Sequence, residues 1–297
     1  MKSHFTLGNR TIEFVPPSTQ RPIAKSRHQI GYRAVIACVV TGATAMMTGI
    51  CSGQIALDTA MDPTYAAGWH PGQNGGYGFG AWSFNLTDPT PPGKQYQAIN
   101  SPSPIGTAWT LMTYANNTGL ANAGRSINGG LNPGEVFETV IENPSSYHFF
   151  RGFDILFTGG PDNNAPGNNA AALRLSVFAY FGNNWGINDT GSHSTPVSPL
   201  DSAMNGMKID LALTSPTTYA LTMTPLNGAP VYMTTGTLAG PISYVNFREW
   251  NGTSAGPSNV AENFGISYLE ITAVPEPGTL ALVGMGAAGL MFFRRRK

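Results

Sequence analysis

The strongest local match to a catalytic motif is residues 252–256, Gly-Thr-Ser-Ala-Gly, which have the Gly-x-Ser-x-Gly spacing of a serine nucleophile. Such a serine needs a strand before it, a helix after it, and an acid and then a histidine later in the chain. Pro257 follows the motif directly, and no histidine occurs after His193. We therefore interpret the segment as a glycine-rich turn.

Three glutamates in one short segment are the best candidates for the paired carboxylates of glycan hydrolysis: Glu135, Glu138 and Glu142. Side chains alternate between the two faces of a strand, so Glu138 and Glu142 share a face and Glu135 takes the other. Solvated acids are the simpler interpretation. We expect no catalytic residues in this chain.

A polar loop offers a weak calcium site. Asp162 and Asn164 occupy the first and third positions, where a calcium-binding loop has oxygen ligands. The twelfth position, however, is Leu173, and an acidic ligand is needed there. A structural Ca²⁺ ion is thus the one cofactor that the sequence suggests, and we otherwise expect none. The histidines of the predicted mature chain do not pair at the spacing of a zinc site: His70, His148 and His193.

Aromatic side chains provide a binding hypothesis, because an exposed ring beside amide and carboxylate groups can contact a sugar. The residues selected on this ground are Trp185, Asn183, Asn184 and Asp189. The alternative is that the tryptophans are core anchors that bury large apolar areas, which we favour for Trp82 and Trp109.

Alternating apolar residues indicate the elements that must position these groups. Period-two alternation marks strands with one buried face, and Gly, Pro and Asn clusters separate them. The sequence therefore predicts an all-β fold, a single antiparallel β-sandwich or jelly roll over residues 57–273. The clearest alternating sets are Phe153, Ile155 and Phe157; Leu173, Leu175, Val177 and Ala179; Met207, Ile209, Leu211 and Leu213; Tyr219, Leu221 and Met223; Val245 and Phe247; and Leu269 and Ile271.

The C-terminal residues 274–297 combine a proline-rich junction, an uncharged run and a basic cluster. The prolines exclude a helix interior at the junction. As a helix, residues 279–293 would span about 22 Å, less than the ~30 Å hydrocarbon core. The terminal cations favour a cytoplasmic end, which leaves the preceding chain across the membrane. The junction is Val274, Pro275, Glu276, Pro277 and Gly278, and the cluster is Arg294, Arg295, Arg296 and Lys297.

The order and spacing of these three parts resemble the PEP-CTERM sorting signal, also catalogued as the ice-binding protein C-terminal domain. This resemblance implies a Gram-negative bacterial protein with a short transmembrane sorting helix, held transiently in the inner membrane and recognised by an exosortase-type processing enzyme. It also implies an association with exopolysaccharide production. The glycine- and aromatic-rich segment of residues 68–82 resembles the opening of many β-sandwich bodies that carry such tails, and no activity is implied by it.

The N-terminal segment predicts export independently. Residues 1–33 carry six basic residues and one acid, and residues 34–50 are uncharged, which is typical of a signal peptide with a long leader within residues 1–56. A non-cleaved anchor is the alternative. Because Cys38 and Cys51 lie in or beside the apolar stretch, the mature body should contain no disulfide.

The charge distribution excludes one class of function, nucleic-acid binding. The whole chain has a net charge of zero, but residues 57–274 contain 14 acids and 6 bases, so the body is acidic and nucleic acid is excluded as a partner. Our first hypothesis is a non-enzymatic structural or adhesive component of the cell envelope or extracellular matrix. The alternative is a carbohydrate-binding module that engages matrix polysaccharide, and a glycan-processing enzyme is the third possibility.

Overall fold

The computed structural model describes residues 6–7, 10–11, 53–87, 96–103, 105–114, 120–142, 151–161, 172–180, 184–189, 193–194, 205–251 and 261–274. The chain divides into two units, Met1–Ile50 and Cys51–Lys297. The described part of the first unit consists of two short antiparallel strands, β1 (Thr6–Leu7) and β2 (Arg10–Thr11).

The described part of the second unit consists of β-strands, turns and one 3₁₀ helix, Pro63–Tyr65. In chain order the strands are β3 (Gln54–Thr59), β4 (Ser83–Thr87), β5 (Tyr96–Ser103), β6 (Gly106–Tyr114), β7 (Leu120–Leu131), β8 (Glu135–Glu142), β9 (Arg151–Thr158), β10 (Leu173–Tyr180), β11 (Asn184–Asn188), β12 (His193–Ser194), β13 (Met207–Ser215), β14 (Thr218–Pro225), β15 (Tyr232–Thr237), β16 (Ile242–Asn251) and β17 (Ala261–Ala273). They form two antiparallel sheets, so the predicted all-β sandwich is confirmed.

The two sheets have non-sequential strand orders. The seven-stranded sheet runs β12-β11-β10-β9-β16-β7-β4, and the eight-stranded sheet runs β15-β14-β13-β8-β17-β6-β5 with β3 as an additional strand on β17. β17 is long enough to hold two partners on one side: its first half pairs with β6 and its second half with β3. The last two strands of the body thus lie in the middle of the two sheets.

The core lies between the sheets and is built from the alternating positions. The predicted inward sets are confirmed except at Leu173, because their other members are buried in one continuous apolar cluster. Leu173 is half-buried and lies beside a register shift at the start of β10. Cross-strand partners stack within it, as Val177 on β10 does with Ile155 on β9. Phe153 contributes an offset stack with Phe264, with ring centroids 4.8 Å apart.

Among the described residues, none belongs to a helix with the length and apolar character needed to cross a bilayer. The predicted signal peptide, residues 1–56, is described only at 6–7, 10–11 and 53–56, and the predicted sorting helix lies outside the described residues.

Candidate functional site

A buried ion pair joins the two sheets beside the glycine- and aromatic-rich segment. Arg125 on β7 and Asp58 on β3 both point inward, and the Arg125 Nη1 donates to Asp58 Oδ2 with neither side chain exposed. The guanidinium also donates from Nε and Nη2 to the Gly80 carbonyl, at 2.9 and 2.7 Å, and from Nη2 to Asn74 Oδ1 at 2.5 Å. These donations hold the segment onto both sheets.

Tyr65, at the end of the 3₁₀ helix, completes the network around the Asp58 carboxylate. Its hydroxyl donates to Asp58 Oδ2 at 2.5 Å and accepts from the Gly75 N–H at 3.0 Å and the Trp82 Nε1–H at 3.1 Å. Burial, reinforced by the hydrogen bond to Asp58, raises the pKa of Tyr65 to about 12. The hydroxyl therefore remains a donor to Asp58 at neutral pH.

Three buried tryptophans pack around this network. Trp82 lies edge-on to Trp69 and Trp109, with ring centroids 4.9 and 5.1 Å away. The Arg125 guanidinium carbon lies 4.7 Å from the Trp82 ring centroid and 5.0 Å from that of Phe79. The expectation that Trp82 and Trp109 are core anchors is confirmed by their burial.

Two glycines explain why the segment can pack so closely against β3. A Cβ on Gly76 would lie 1.8 Å from the Leu57 carbonyl oxygen, and one on Gly78 would lie 2.3 Å from the Ala56 Cβ. Gly78 also has a φ of 77°, a conformation that favours glycine. The segment forms backbone hydrogen bonds with Leu57 in both directions through Tyr77, at 2.9 and 3.1 Å.

A cleft of about 620 Å³ opens beside this segment, within the size range of small-molecule sites. Its floor includes Trp69, and its polar groups come from Asp62, His70 and Thr107. Asp62 caps the 3₁₀ helix by accepting from the Thr64 N–H at 2.8 Å, so its position is fixed by the main chain. The remaining wall residues are mostly apolar: Ala60, Met61, Pro63, Tyr65, Ala66, Gly68 and Ile99.

A second polar cluster lies on the outward face of the eight-stranded sheet. Glu138 on β8 is the direct cross-strand neighbour of both Glu270 on β17 and Asp210 on β13. Lys208 Nζ lies 2.7 Å from Glu138 Oε2 and 3.2 Å from Asp210 Oδ1, and the Tyr268 hydroxyl donates to Glu138 Oε1. One lysine thus balances adjacent carboxylates that would otherwise repel one another.

The two carboxyl groups beside Lys208 have pKa values shifted in opposite directions. Burial raises the pKa of Asp210 to about 6, with a further contribution from the neighbouring Glu138. At Glu138 burial acts in the same sense, but hydrogen bonds from Lys208 and Tyr268 outweigh it and lower the pKa below its ordinary value. Asp210 therefore takes up the proton first as the pH falls towards 6.

Glu135 and Glu142 do not join Glu138 in one site. Glu135 accepts from the Asn132 N–H at 2.8 Å and stabilises the turn before β8. Glu142 is buried at the far end of β8, where its side chain lies over Gly265. None of the three lines the cleft beside Trp69. The Gly-x-Ser-x-Gly segment and His148 lie outside the described residues.

The structure corrects the hypothesis of an exposed sugar-stacking residue at Trp185. This indole is fully buried and packs edge-on to Phe153 with centroids 5.0 Å apart. Asp189 is near the end of the same strand and accepts from the Tyr219 hydroxyl at 2.7 Å; burial and this bond raise the pKa of Tyr219. Asn184 lies in β11 opposite Tyr180, and Asn183 is outside the described residues.

The remaining predicted sites are only partly within the described chain. Asp162 and Asn164 lie outside it, and no group of three or more potential metal-ligating side chains occurs among the residues the structure describes. Val274 is exposed, and its N–H donates to the Gly134 carbonyl at 2.7 Å. The rest of the junction and the basic cluster, residues 275–297, are not described.

Sequence reasoning missed Arg125, Asp58 and Tyr65 as a unit. A usable signal was present, because Arg125 is one of six bases in an acidic body and stands among the small residues Ala123, Gly124 and Ser126. A cation in such a position has to find a buried carboxylate.

Comparison with family models identifies the PEP-CTERM protein-sorting motif at residues 273–297. Motifs of this kind mark proteins that are exported and processed by an exosortase. No curated protein matches the sequence.

Among solved structures, the chain is similar to a legume lectin-like domain from Entamoeba histolytica (9% identity, 65% of this chain and 91% of that chain, TM-score 0.39). It is also similar to lectin II from Ulex europaeus (9% identity, 70% of this chain and 96% of that chain, TM-score 0.39). A third similar structure is a family 16 endo-glucanase from Bacteroides ovatus (11% identity, 64% of this chain and 94% of that chain, TM-score 0.40). These similar structures include both lectins and a glycoside hydrolase. At TM-scores below 0.5, the similarity gives no argument for sugar binding or for glycan hydrolysis.

Breaking the ion pair between the sheets should strongly destabilise the protein. We expect Asp58→Asn and Arg125→Met each to lower the free energy of unfolding by about 3–5 kcal/mol, because each leaves the other charge buried without its partner. The double variant Asp58→Leu with Arg125→Met should lose less than the sum of the two. Urea unfolding measures these differences. Single variants within about 0.5 kcal/mol of the wild type would contradict a structural role for the pair.

Removing the Asp210 carboxylate should change how stability depends on pH. The folded state holds this proton up to about pH 6, whereas the unfolded chain releases it near the ordinary aspartate pKa of 3.8. Asp210 therefore lowers stability progressively as the pH rises through this interval. We expect Asp210→Asn to be more stable than the wild type at pH 7 and to lose that advantage at pH 4. Unfolding curves at several pH values test this.

The matched control is Glu270→Gln, which removes another acid from the same face. An equal change of pH dependence in the control would show that general charge on the face, and not Asp210, is responsible.

Proposed function

We propose that this protein is an exported, non-enzymatic structural or adhesive component of the cell envelope or extracellular matrix, processed at its C-terminal sorting motif. The observation that carries the proposal is that the matched motif begins at residue 273, where the central strand β17 ends. The folded body and the sorting tail are therefore contiguous in the chain. Acidic composition and a large core suit a stable, soluble exposed body.

The position of β17 supports a load-bearing role. Any force on the tail reaches the body at Ala273, the last residue of a strand that is hydrogen-bonded to β8 on one side and to β6 and β3 on the other. Pulling along this strand loads both ladders together instead of opening them one bond at a time. An anchored surface protein needs this kind of attachment.

Deletion of residues 278–297 tests the sorting part of the proposal. We expect the truncated protein to lose surface association while its body still folds, because β17 and the Val274 contact to Gly134 are retained. Cell fractionation and mass spectrometry measure location and the new C-terminus. Surface material with an intact Lys297 would contradict processing.

Carbohydrate binding is the second candidate, and the cleft beside Trp69 is the observation that favours it. Trp69 is buried and presents no free ring face, but the apolar wall of the cleft with Asp62, His70 and Thr107 combines apolar contact with hydrogen-bonding groups, as a sugar requires. Four of the five tryptophans are buried, so an extended exposed aromatic platform is not what supports this function. Any sugar contact would be local to the cleft.

Polysaccharide pull-down with cleft variants tests the second candidate. We expect His70→Ala with Thr107→Ala to weaken binding at least about tenfold, since loss of about 1.4 kcal/mol corresponds to that factor. The control is Thr235→Ala on β15, an exposed threonine outside the cleft. Absence of binding by the wild type, or equal binding by the cleft variant, would remove carbohydrate recognition at this site.

A further inference from the structure

The polar groups of the cleft beside Trp69 are mainly hydrogen-bond acceptors. Tyr65 lines the cleft, but its hydroxyl is already hydrogen-bonded on both sides. The other polar side chains of the wall are Asp62, His70 and Thr107. Among the described residues that line the cleft, none is Lys or Arg. The chemistry of these groups therefore limits the kind of ligand that the cleft can take.

The Asp62 carboxylate has one oxygen in use and one available. Its Oδ1 accepts from the Thr64 N–H at 2.8 Å, and a Cβ on Gly75 would lie 2.8 Å from the same atom, so this side of the carboxylate faces the main chain. Within the described part of the chain, Oδ2 accepts no hydrogen bond. A carboxylate that is held in one orientation with an available oxygen is suited to a cationic donor.

The His70 ring also presents an acceptor. Its Nε2 lies 3.3 Å from the Ala67 carbonyl oxygen, and a carbonyl can only accept, so Nε2 carries the hydrogen. In the neutral ring this leaves Nδ1 as an acceptor. The Thr107 hydroxyl can accept as well. A ligand that mainly donates hydrogen bonds is thus complementary to all three side chains.

Gln73 fixes the two sides of the cleft relative to one another. Its side-chain oxygen accepts from the His70 N–H at 2.6 Å, and its side-chain nitrogen donates to the Thr64 carbonyl at 2.9 Å. One amide thus connects the 3₁₀ helix that Asp62 caps to the main chain of His70. Because these contacts exist without a ligand, binding has to order few groups.

The charge of the body favours a cationic ligand over an anionic one. Residues 57–274 contain 14 acids and 6 bases, so the field of the body attracts cations and repels polysaccharides that carry carboxylate or sulfate groups. The apolar part of the wall, which includes Met61, Pro63 and Ile99, can contact the C–H groups of a sugar ring. A sugar with a positive charge meets both conditions.

We propose that this cleft binds an amino sugar in its ammonium form, as one unit of a deacetylated amino-sugar polysaccharide. The inference rests on the carbohydrate-binding candidate of the proposed function and names its ligand class. The ammonium group donates to Asp62 Oδ2, and hydroxyl groups of the ring donate to His70 Nδ1 and Thr107. Acetylation replaces the ammonium, with its three donors, by a neutral amide with one N–H, so an acetylated sugar loses the charge-assisted contact.

A matched pair of oligosaccharides tests the inference on the full-length chain. The probes are a glucosamine tetramer and the same tetramer with every amine acetylated, titrated at pH 7 by isothermal calorimetry. We expect the wild type to bind the deacetylated tetramer at least about fivefold more tightly. A charge-assisted hydrogen bond is stronger than a neutral one, but solvent at an open cleft screens it. Equal affinity for the two tetramers would overturn the inference.

Two variants locate the source of this preference. Asp62→Asn removes the charge but keeps a side-chain oxygen that can cap the 3₁₀ helix, so we expect the fold to persist and the preference to disappear. Glu270→Gln removes one acid outside the cleft and should keep the preference. Circular dichroism checks that both variants are folded. A preference that survives Asp62→Asn, or that Glu270→Gln reduces equally, would overturn the inference, because the net charge of the body would then be responsible.

Failure of this inference is distinguishable from failure of the proposed function. Binding of both tetramers with equal affinity refutes the amino-sugar assignment and leaves carbohydrate recognition in place. Binding of no polysaccharide refutes carbohydrate recognition together with this inference. Neither result affects the structural role, which fractionation of the chain lacking residues 278–297 tests separately.

Discussion

The Arg125–Asp58 contact is the constraint on which the arrangement of this body depends. It joins β7 of one sheet to β3 of the other inside the sandwich, where a lone charge would be very costly. The same guanidinium fixes the Gly80 carbonyl and Asn74, so the glycine-rich segment must pass close to it. Asp58 in turn lies on β3, whose pairing with the second half of β17 reaches the residue before the sorting motif. One buried ion pair thus connects the start of the body to its end.

The strands were predictable because burial of one face makes apolar residues alternate with a period of two. This alternation is visible within a few consecutive residues of the sequence. The error at Trp185 shows the limit of composition as a guide. Its asparagine neighbours suggested a surface, yet Trp185 and Ile187 are alternate residues of β11 and both point into the core. Gly186 between them and Asn188 after them take the other face. The alternation contained the correct answer, because the polar Asn188 belongs to the opposite side of the same strand.

The ion-pair network was not predictable from local pattern, whereas the sorting motif was. Asp58 and Arg125 are 67 positions apart, and Tyr65, Asn74 and Gly80 are placed by turns between them. Only the sheet topology brings these groups together, and the order of strands does not follow from hydrophobic periodicity. The tail, in contrast, acts as a linear signal whose parts are contiguous, so residue order alone was enough to identify it.

The topology also couples completion of the fold to the end of the chain. β16 and β17 occupy central positions, so neither sheet is continuous until residues 242–273 have been supplied, and such non-local pairing is slow to form. The N–H of Ala273 donates to the Gly53 carbonyl and that of Val274 to Gly134, so both ends of the body lie at one end of the sandwich. The four junction residues after Val274, residues 275–278, can reach at most about 14 Å. A processing enzyme that acts at the junction must therefore work close to that end of the sandwich, beside the point where the body begins.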